Sequence, residues 1–494
     1  MKPWGDGTVV MLGIGGCGMS GLARMLRSAG VPIWGSDSVP SPVTDRLIGE
    51  GFLVELSQDG PLPPDAGLVI ATAAIKPDNP AIVEAKRRGL EIITYPQALG
   101  RLMQGRSGVA IAGTHGKSTT TAMLGAALVD AGLDPSVIVG ATCAQLGAGA
   151  LGGRSHAPTG FRVGASRTPR GAYAGRPGLL LAEACEFNRS FHNLAPLVAS
   201  ISAVEADHLD IYGSLDAVVE AFAGFAQRIA AADEGGVLLI GHEGAHRREV
   251  ASACRARVET IGFAPSADWR VGFDEPAGRI EIAGPRAERA AWTCRMPGVH
   301  NAMNSATAFA LGAILGADCA RLAESLGAFA GLGRRMEFLG ERPMPAGGVV
   351  RVYDDYGHHP TEVDATLRAL RAAEDPGARG GRLVCVFQPH QHSRTRFLLD
   401  EFASAFGHAD VVIVPEIYFV RDSEAEKHRV SSIDLVQRLR QRGVRAMRLD
   451  PFEAIVEHLD DFLSDGDLLV VMGAGPVWKV AHGFMGTAVQ AGAL

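Results

Sequence analysis

The chain has 494 residues, 47% of them hydrophobic and 20% charged, with 47 Lys and Arg against 54 Asp and Glu. That length suggests about two to four domains with sizeable cores, and a net charge of −7 argues against a surface built for nucleic-acid backbone. No apolar run reaches the ~20 residues of a membrane span, no signal peptide opens the chain, and seven scattered Cys without a CxxC pair fit a reduced compartment, so a soluble cytoplasmic protein is expected.

Short apolar runs alternate with helix-period segments along almost the whole chain, the pattern of α/β units on parallel sheets. Runs of strand type lie at 8–15, 31–37, 68–74, 91–95, 108–113, 178–183, 198–204 and 235–241. They resume at 348–355, 382–388, 410–416, 444–449 and 467–473. No single sheet holds so many comfortably. "LMQGRSG" (102–108) and "LGRRMEFLGERPMPAGG" (332–348) read as linkers, giving three α/β domains: 1–105, 106–334 and 335–494. From 147 to 177 a Gly-, Arg- and Pro-rich stretch without apolar period reads as a long loop. "RVETIGF", "WRVGF" and "RIEIAG", between 257 and 295, suggest a small antiparallel patch. The fold class is therefore α/β: a Rossmann-like first domain, a central P-loop ATPase-type domain with a mainly parallel sheet, and a Rossmann-like third domain.

Two glycine motifs point to phosphate. In "VAIAGTHGKSTTT" a strand precedes Gly113 and a helix follows Lys117. Gly113 and Gly116 let the backbone aim N–H groups at an anion, and the helix N-terminus adds to that field. Lys117 can reach β- and γ-phosphates, and the Ser118 hydroxyl suits Mg²⁺. Position 111 is Ile, so only the tighter form G-T-x-G-K-[ST] of the phosphate loop is present. "MLGIGGCGMSGLA" presents G-x-G-x-x-G through Gly13, Gly15 and Gly18, with Asp37 ending the next strand as a ribose-binding acid. Alone it suggests a dinucleotide oxidoreductase. Beside a Lys-bearing phosphate loop, it suggests two phosphorylated ligands.

Carboxylates follow. "LLLAEACEFNRSF" carries Glu183 and Glu186 at one strand end, and "ASISAVEADHLDIY" carries Glu205, Asp207, His208 and Asp210 past the next. Strand carboxyl ends are where open α/β sheets bind ligands, so these acids are either a divalent-cation site or solvated loop starts. In the third domain, "VYDDYGHHPTE" and "VFQPHQHSRTR" gather Asp354, Asp355, His358, His359, His390, His392, Arg394 and Arg396. The His pairs lack a third ligand at zinc spacing, and the Arg neighbours favour an anion or substrate site. "GVHNAMN" opens a helix. Its His300 and Asn301 either cap that helix or read a base, and local grounds favour capping.

Together, "GIGGCGMSGLA", "GTHGKSTTT", "AEACEFNRSF", "EADHLDIY", "PGVHNAMN", "GRRMEF", "DDYGHHPTE", "FQPHQHSRTR" and "GAGPVWKVA" resemble, in order and over nearly the whole chain, the Mur ligase family of ATP-dependent amide-forming enzymes. The resemblance implies that the first domain binds the UDP part of UDP-N-acetylmuramate, with Gly15, Gly16, Gly18, Met19, Ser20 and Ser190 near the substrate and Asp37 near its nucleotide end. It implies that Gly113, Thr114, His115, Gly116, Lys117, Ser118 and Thr119 hold the ATP phosphates. Ser118, Glu183 and His208 would hold two Mg²⁺, with Mn²⁺ as a substitute. His300, Asn301 and Asn304 would approach the adenine, which reverses the capping preference. Arg335 would touch ATP and Asp355 its ribose. Tyr356, His358, His390 and Arg394 would face the substrate carboxylate or the incoming amino acid.

The implied reaction joins L-alanine to the lactyl carboxylate through an acyl phosphate. Lys117 and the metals neutralise charge on the transferring phosphoryl group. Arg394 is expected to fork onto the amino-acid carboxylate. His358 and His390, as imidazoles titrating near working pH, are expected to orient or deprotonate the ammonium. The chain departs from the family in places. No Lys follows the D-H-x-D motif, in keeping with the L-alanine-adding branch; "AEACEF" replaces that branch's "AEADES"; and Gln391-His392 stand where it carries Arg-Tyr. Two other readings stay open at this stage: a ligase that recycles a whole tripeptide onto UDP-N-acetylmuramate, and an NAD-linked oxidoreductase. The sequence carries no signal that chooses between monomer and homodimer.

Overall fold

The computed structural model describes residues 4–57, 60–152, 158–345 and 347–486. Three sheets organise them. The first holds β1 (Thr8–Leu12), β2 (Ile33–Ser36), β3 (Leu53–Glu55), β4 (Ala66–Ala71) and β5 (Glu91–Thr94), all parallel, in the order β3-β2-β1-β4-β5. Val9 to Leu12 are buried on both faces of the sheet, which is why β1 reads as an unbroken apolar run rather than an alternating one.

The second sheet holds β6 (Ser107–Ala112), β7 (Ser136–Cys143), β8 (Thr159–Arg162), β9 (Leu179–Glu183), β10 (Val198–Ile201), β11 (Val237–Gly241), β12 (Arg257–Gly262), β13 (Trp269–Asp274), β14 (Arg279–Ala283) and β15 (Arg289–Thr293). Their order is β15-β14-β13-β12-β11-β10-β6-β9-β7-β8. The centre is parallel. The expected antiparallel patch is β13–β15, joined through a parallel β12–β13 pairing. The third sheet holds β16 (Glu337–Pro343), β17 (Val349–Asp355), β18 (Leu383–Phe387), β19 (Val411–Val414), β20 (Arg445–Arg448) and β21 (Leu468–Met472), in the order β16-β17-β21-β18-β19-β20. Only β16 runs antiparallel there.

Each expected strand run overlaps a strand, and the α/β class holds. Two local expectations do not. The stretch 147–177 is not simply a loop: β8 lies in it and pairs with β7. The resulting hairpin rests on the first domain, where the Arg24 guanidinium sits 4.4 Å over the Phe161 ring and Arg46 donates to the Pro158 carbonyl at 3.3 Å. Residues 153–157 of that stretch lie outside the described residues. The supposed linker 332–348 contains β16, which pairs antiparallel with β17 as the edge strand of the third sheet.

The cores follow a different division. One continuous apolar cluster joins Val9, Met11 and Leu22 of the first sheet's layer to Ala110, Ile138, Phe191 and Phe222 of the second. The third sheet keeps separate clusters on its two faces, around Phe387 and Val471. No helix among the described residues is long and apolar enough to cross a membrane.

Candidate active site

The site begins where β6, buried along its length, runs out of sheet. At Gly113 φ is +122° and an added Cβ would collide with Ser202 Oγ; at Gly116 φ is +79° and it would collide with Asn304 Oδ1. Only glycine fits both the conformation and the space. Helix Lys117–Asp130 starts immediately after and is buried on nearly every side, packed against helix Val299–Ile314. Its amino end, with free N–H groups and the positive end of the helix dipole, is therefore fixed in place.

Lys117 folds over this loop. Its Nζ donates to the Gly113 carbonyl at 2.7 Å and the Thr114 carbonyl at 3.0 Å, and stands 2.9 Å from Glu186 Oε2. Burial works against the ammonium, but its acidic neighbours, Glu186 foremost with Cys185 and Glu183, together outweigh it and the Lys117 pKa is raised. Glu186 is itself buried and its carboxyl is pushed up by desolvation, opposed by Lys117. Glu186, Asp207 and His208 each present a ligand atom within 4.8 Å of the others. Burial drives the His208 imidazole down to about 3, so it is a neutral ring with a lone pair to offer. Asp207 stays ionised despite its burial, because Arg394 lies against it.

Glu183 stands apart from that trio. It ends β9 and accepts the Gly140 N–H of β7 at 2.8 Å, acting on Lys117 through space. Ser118 is buried beside Lys117, with Arg335 Nη2 3.4 Å from its hydroxyl. Thr119 is also buried on this first helical turn, and Thr114 Oγ1 accepts the Glu205 N–H at 2.9 Å. An oxygen-rich set of Ser118, Glu183, Glu186 and Asp207, with one imidazole, suits a hard divalent cation.

The third domain supplies the opposite wall. Arg394 Nε donates to Asp207 Oδ1 at 3.0 Å, and its Nη1 lies 3.1 Å from His390 Nδ1. Its guanidinium is thus committed across the domain boundary rather than projecting free. His358 and His390 meet edge to face at 5.7 Å. Burial pushes them down to about 4 and about 2. The expectation that they titrate near working pH is not met, because burial keeps both rings neutral there. The guanidiniums of Arg334 and Arg335 lie 5.1 and 4.8 Å from the centre of the Tyr356 ring. Asp355 accepts the Met336 and Gly357 N–H groups at 2.7 and 2.6 Å, and burial raises it to about 6 against the pull of Arg335.

The base-reading candidates sit at the amino end of Val299–Ile314. Gly298 is its N-cap and no side chain caps it, so the local capping reading of this stretch fails. Asn301 instead donates to the Pro297 carbonyl at 2.9 Å, and Asn304 lies 3.4 Å from both Asn301 Oδ1 and Thr120 Oγ1. His300 is half-buried, and desolvation lowers it to about 4. Of the three, Asn304 borders the phosphate loop, through Gly116 and Thr120.

In the first domain, Asp37 accepts the Gly15 N–H at 2.9 Å and the Val39 N–H at 3.2 Å, so it braces the glycine turn. Gly16 is the N-cap of helix Cys17–Ser28, which carries buried Met19 and Ser20. A side chain at Gly18 would collide with the Tyr95 ring. Ser190 lies on the 3₁₀ segment Phe187–Asn193, its carbonyl accepting from Asn193.

Sequence reasoning named Glu186, Glu205 and Asp207 as acids at strand ends but did not single them out as site residues. It passed over Glu362 and Arg334. A signal for Glu362 was present: Pro360 at the first helical position and Glu362 two later form a capping box with His359.

The comparisons with known proteins cover the chain in three pieces. Residues 8–107 match the Mur ligase family catalytic domain, 111–312 the Mur ligase middle domain, and 334–475 the Mur ligase glutamate ligase domain. The UDP-N-acetylmuramate–L-alanine ligase of Kineococcus radiotolerans is 39% identical over 490 residues, covering 96% of this chain and 94% of that protein. The enzyme of the same name from Thermobifida fusca is 38% identical over 484 residues, covering 96% and 95%. Among solved structures, the UDP-N-acetylmuramate-alanine ligase of Thermotoga maritima superposes with a TM-score of 0.74 at 23% identity, covering 97% of this chain and 98% of that one. A murein peptide ligase from Psychrobacter arcticus gives 0.71 at 23% identity, covering 99% of each.

Proposed function

The chain belongs to the Mur ligase family, and from that premise we propose that it joins L-alanine to the lactyl carboxylate of UDP-N-acetylmuramate, converting ATP to ADP and phosphate. One observation carries the chemistry. Lys117, on a phosphate loop, sits beside the Glu186–Asp207–His208 cluster, and Arg394, His390 and His358 face them from another domain. A phosphoryl-transfer centre thus meets a buried polar wall suited to a small zwitterion.

We assign residues 1–105 to the UDP-sugar, 106–334 to ATP, and 335–494 to the amino acid and part of the nucleotide. A carboxylate is a poor electrophile, so the carboxylate oxygen first attacks the γ-phosphorus and ADP leaves. Lys117 lies where it can neutralise the equatorial oxygens of that transfer. The amine then attacks the acyl carbon, and collapse of the tetrahedral adduct expels phosphate. Arg394, held by Asp207, offers its remaining N–H groups to the amino-acid carboxylate. His358, whose Nδ1–H faces the Tyr356 carbonyl at 3.1 Å, keeps Nε2 as an acceptor for the amine, while His390 Nδ1 accepts from Arg394 and fixes the guanidinium. Ser118, Glu183, Glu186, Asp207 and His208 would hold Mg²⁺, which when bound neutralises phosphoryl charge. Nucleotide substrates and the absence, among the described residues, of a spanning helix fit a cytoplasmic enzyme.

The test is phosphate release and product mass with ATP, Mg²⁺ and UDP-N-acetylmuramate, supplying L-alanine or the tripeptide separately. L-alanine should dominate. Glycine and L-serine should leak through, since one methyl discriminates by only about 1–3 kcal/mol. A dominant tripeptide product would move the chain to the recycling branch.

A further inference from the structure

The phosphate loop touches the third domain through a side chain that the reaction scheme does not use. His115 lies between Gly113 and Lys117, its carbonyl accepting from Ser202 Oγ at 2.7 Å. Its ring, 19% exposed, spans two domains. Nδ1 is 3.1 Å from Glu362 Oε1 at the start of helix Pro360–Glu374, and Nε2 is 3.4 Å from Glu205 Oε2 just past β10. Glu362 has a second task. Its Oε2 accepts the backbone N–H of His358 at 2.9 Å and of His359 at 3.3 Å. One carboxylate therefore joins the phosphate loop to the backbone that carries His358.

Two more bonds lie alongside. Thr361 Oγ1 donates to Glu205 Oε2 at 2.7 Å, and His359 Nε2 lies 3.2 Å from the Ala206 carbonyl. Because His359 Nδ1 accepts from the Thr361 N–H at 3.3 Å, its Nε2 carries the proton given to Ala206. His115, Glu205 and His359 offer three ligand atoms within 4.8 Å, as a metal site would. Both nitrogens of His359 are nevertheless engaged by backbone, and both of His115 face carboxylates. That arrangement is filled by a doubly protonated imidazole rather than by a cation. In support, burial alone would lower His115, but the bonds to Glu205 and Glu362 raise it to about 9.

Resting on the ligase reading, we propose that His115 is a positioning residue, latching the phosphate loop to the His358 loop so that the acyl phosphate forms in a shut, dry site. The latch matters at one step. If the domains part after phosphoryl transfer, water attacks the acyl carbon. The acyl–oxygen bond breaks, and the carboxylate is regenerated as one of the water's protons goes to the leaving phosphate and the other to solvent. ATP is then spent without an amide.

The experiment compares wild type with His115→Ala, Glu362→Gln and the double variant, measuring phosphate and amide in the same reactions and separating kcat from KM. Glu362→Gln keeps an acceptor for the His358 N–H while removing the charge. Wild type should release phosphate and amide in equal amounts. Each single variant should release several-fold more phosphate than amide and lose about ten- to hundredfold in kcat, with the ATP KM little changed. The double variant should be no worse than the worse single, since both break one bond. Equal phosphate and amide in both singles, or losses that multiply in the double, would overturn the latch. If His115→Ala does not fold by circular dichroism, Glu362→Gln decides from the other domain. A wild type that releases phosphate but forms no amide with any acceptor overturns the ligase reading and the latch with it; a failed latch in a wild type that ligates normally leaves the ligase reading intact.

Discussion

Replacing Lys117 by Ala separates two roles that one ammonium plays. Its Nζ holds two loop carbonyls and pairs with Glu186 at 2.9 Å, and the two side chains are 16% and 4% exposed. Removing one partner of a buried pair costs about 3–5 kcal/mol, because the remaining charge is left uncompensated; the residual exposure of Lys117 puts this pair near the lower end. Removing transition-state neutralisation costs a similar ~3–4 kcal/mol, but in rate, as about 10²–10³ in turnover. Lys117→Ala should therefore lose both stability and activity, and the second substitution Glu186→Gln in that background should recover most of the stability and none of the turnover. Urea denaturation followed by circular dichroism reads the first quantity, and amide product by mass reads the second. Near-normal turnover in Lys117→Ala would refute the assignment of this lysine. So would turnover regained by the double variant, which would mean that the lysine serves only to compensate a buried carboxylate.

Other outcomes follow from the same geometry. Glu186→Gln and His208→Ala should each raise the Mg²⁺ concentration needed for half-maximal rate more than Glu183→Ala does, since Glu183 is turned toward Gly140; a metal titration that ranks Glu183→Ala worst would reverse the donor assignment. Arg394→Ala should raise the amino-acid KM steeply with the ATP KM nearly constant, and equal shifts in both would show that the residue serves domain contact alone. Asp354 is wholly buried beside Arg334, and desolvation raises its carboxyl to about 7. Since its folded pKa lies above the unfolded value, its contribution is fully present below about pH 4 and is lost as pH rises through about 7. Denaturation midpoints at pH 5.5 and pH 8 should therefore differ less in Asp354→Asn than in wild type.

Much of the architecture was legible because buried parallel strands are apolar runs, and these stand out between helical periods. The strands that escaped have local reasons. β3 is only three residues long, β7, though an apolar run, carries Gly140 in its middle, β8 sits among Gly and Arg, and β16 is charged and ends in Pro. The phosphate loop was legible because Gly and Lys carry their geometry locally. The wall opposite was not. Arg394 meets Asp207 across 187 residues and His115 meets Glu362 across 247, and no periodicity links partners so far apart. Burial, which converts His358 and His390 from switches into fixed acceptors, is likewise a tertiary property. Asp37 had the right motif context but spends its carboxylate on its own turn.

The apolar cluster shared by the first two sheets, and the β7–β8 hairpin lying on helix Cys17–Ser28, bear on how the machine is jointed. A body that shares its interior with its neighbour cannot swing without opening that interior to water. The third sheet keeps its own interior on both faces and meets the rest mainly through polar bonds, which water can replace at little cost. The protein thus has three folds but a single joint. The glycine turn of the first domain and the phosphate loop ride on one rigid half, so a swing of the third domain would leave their mutual alignment untouched.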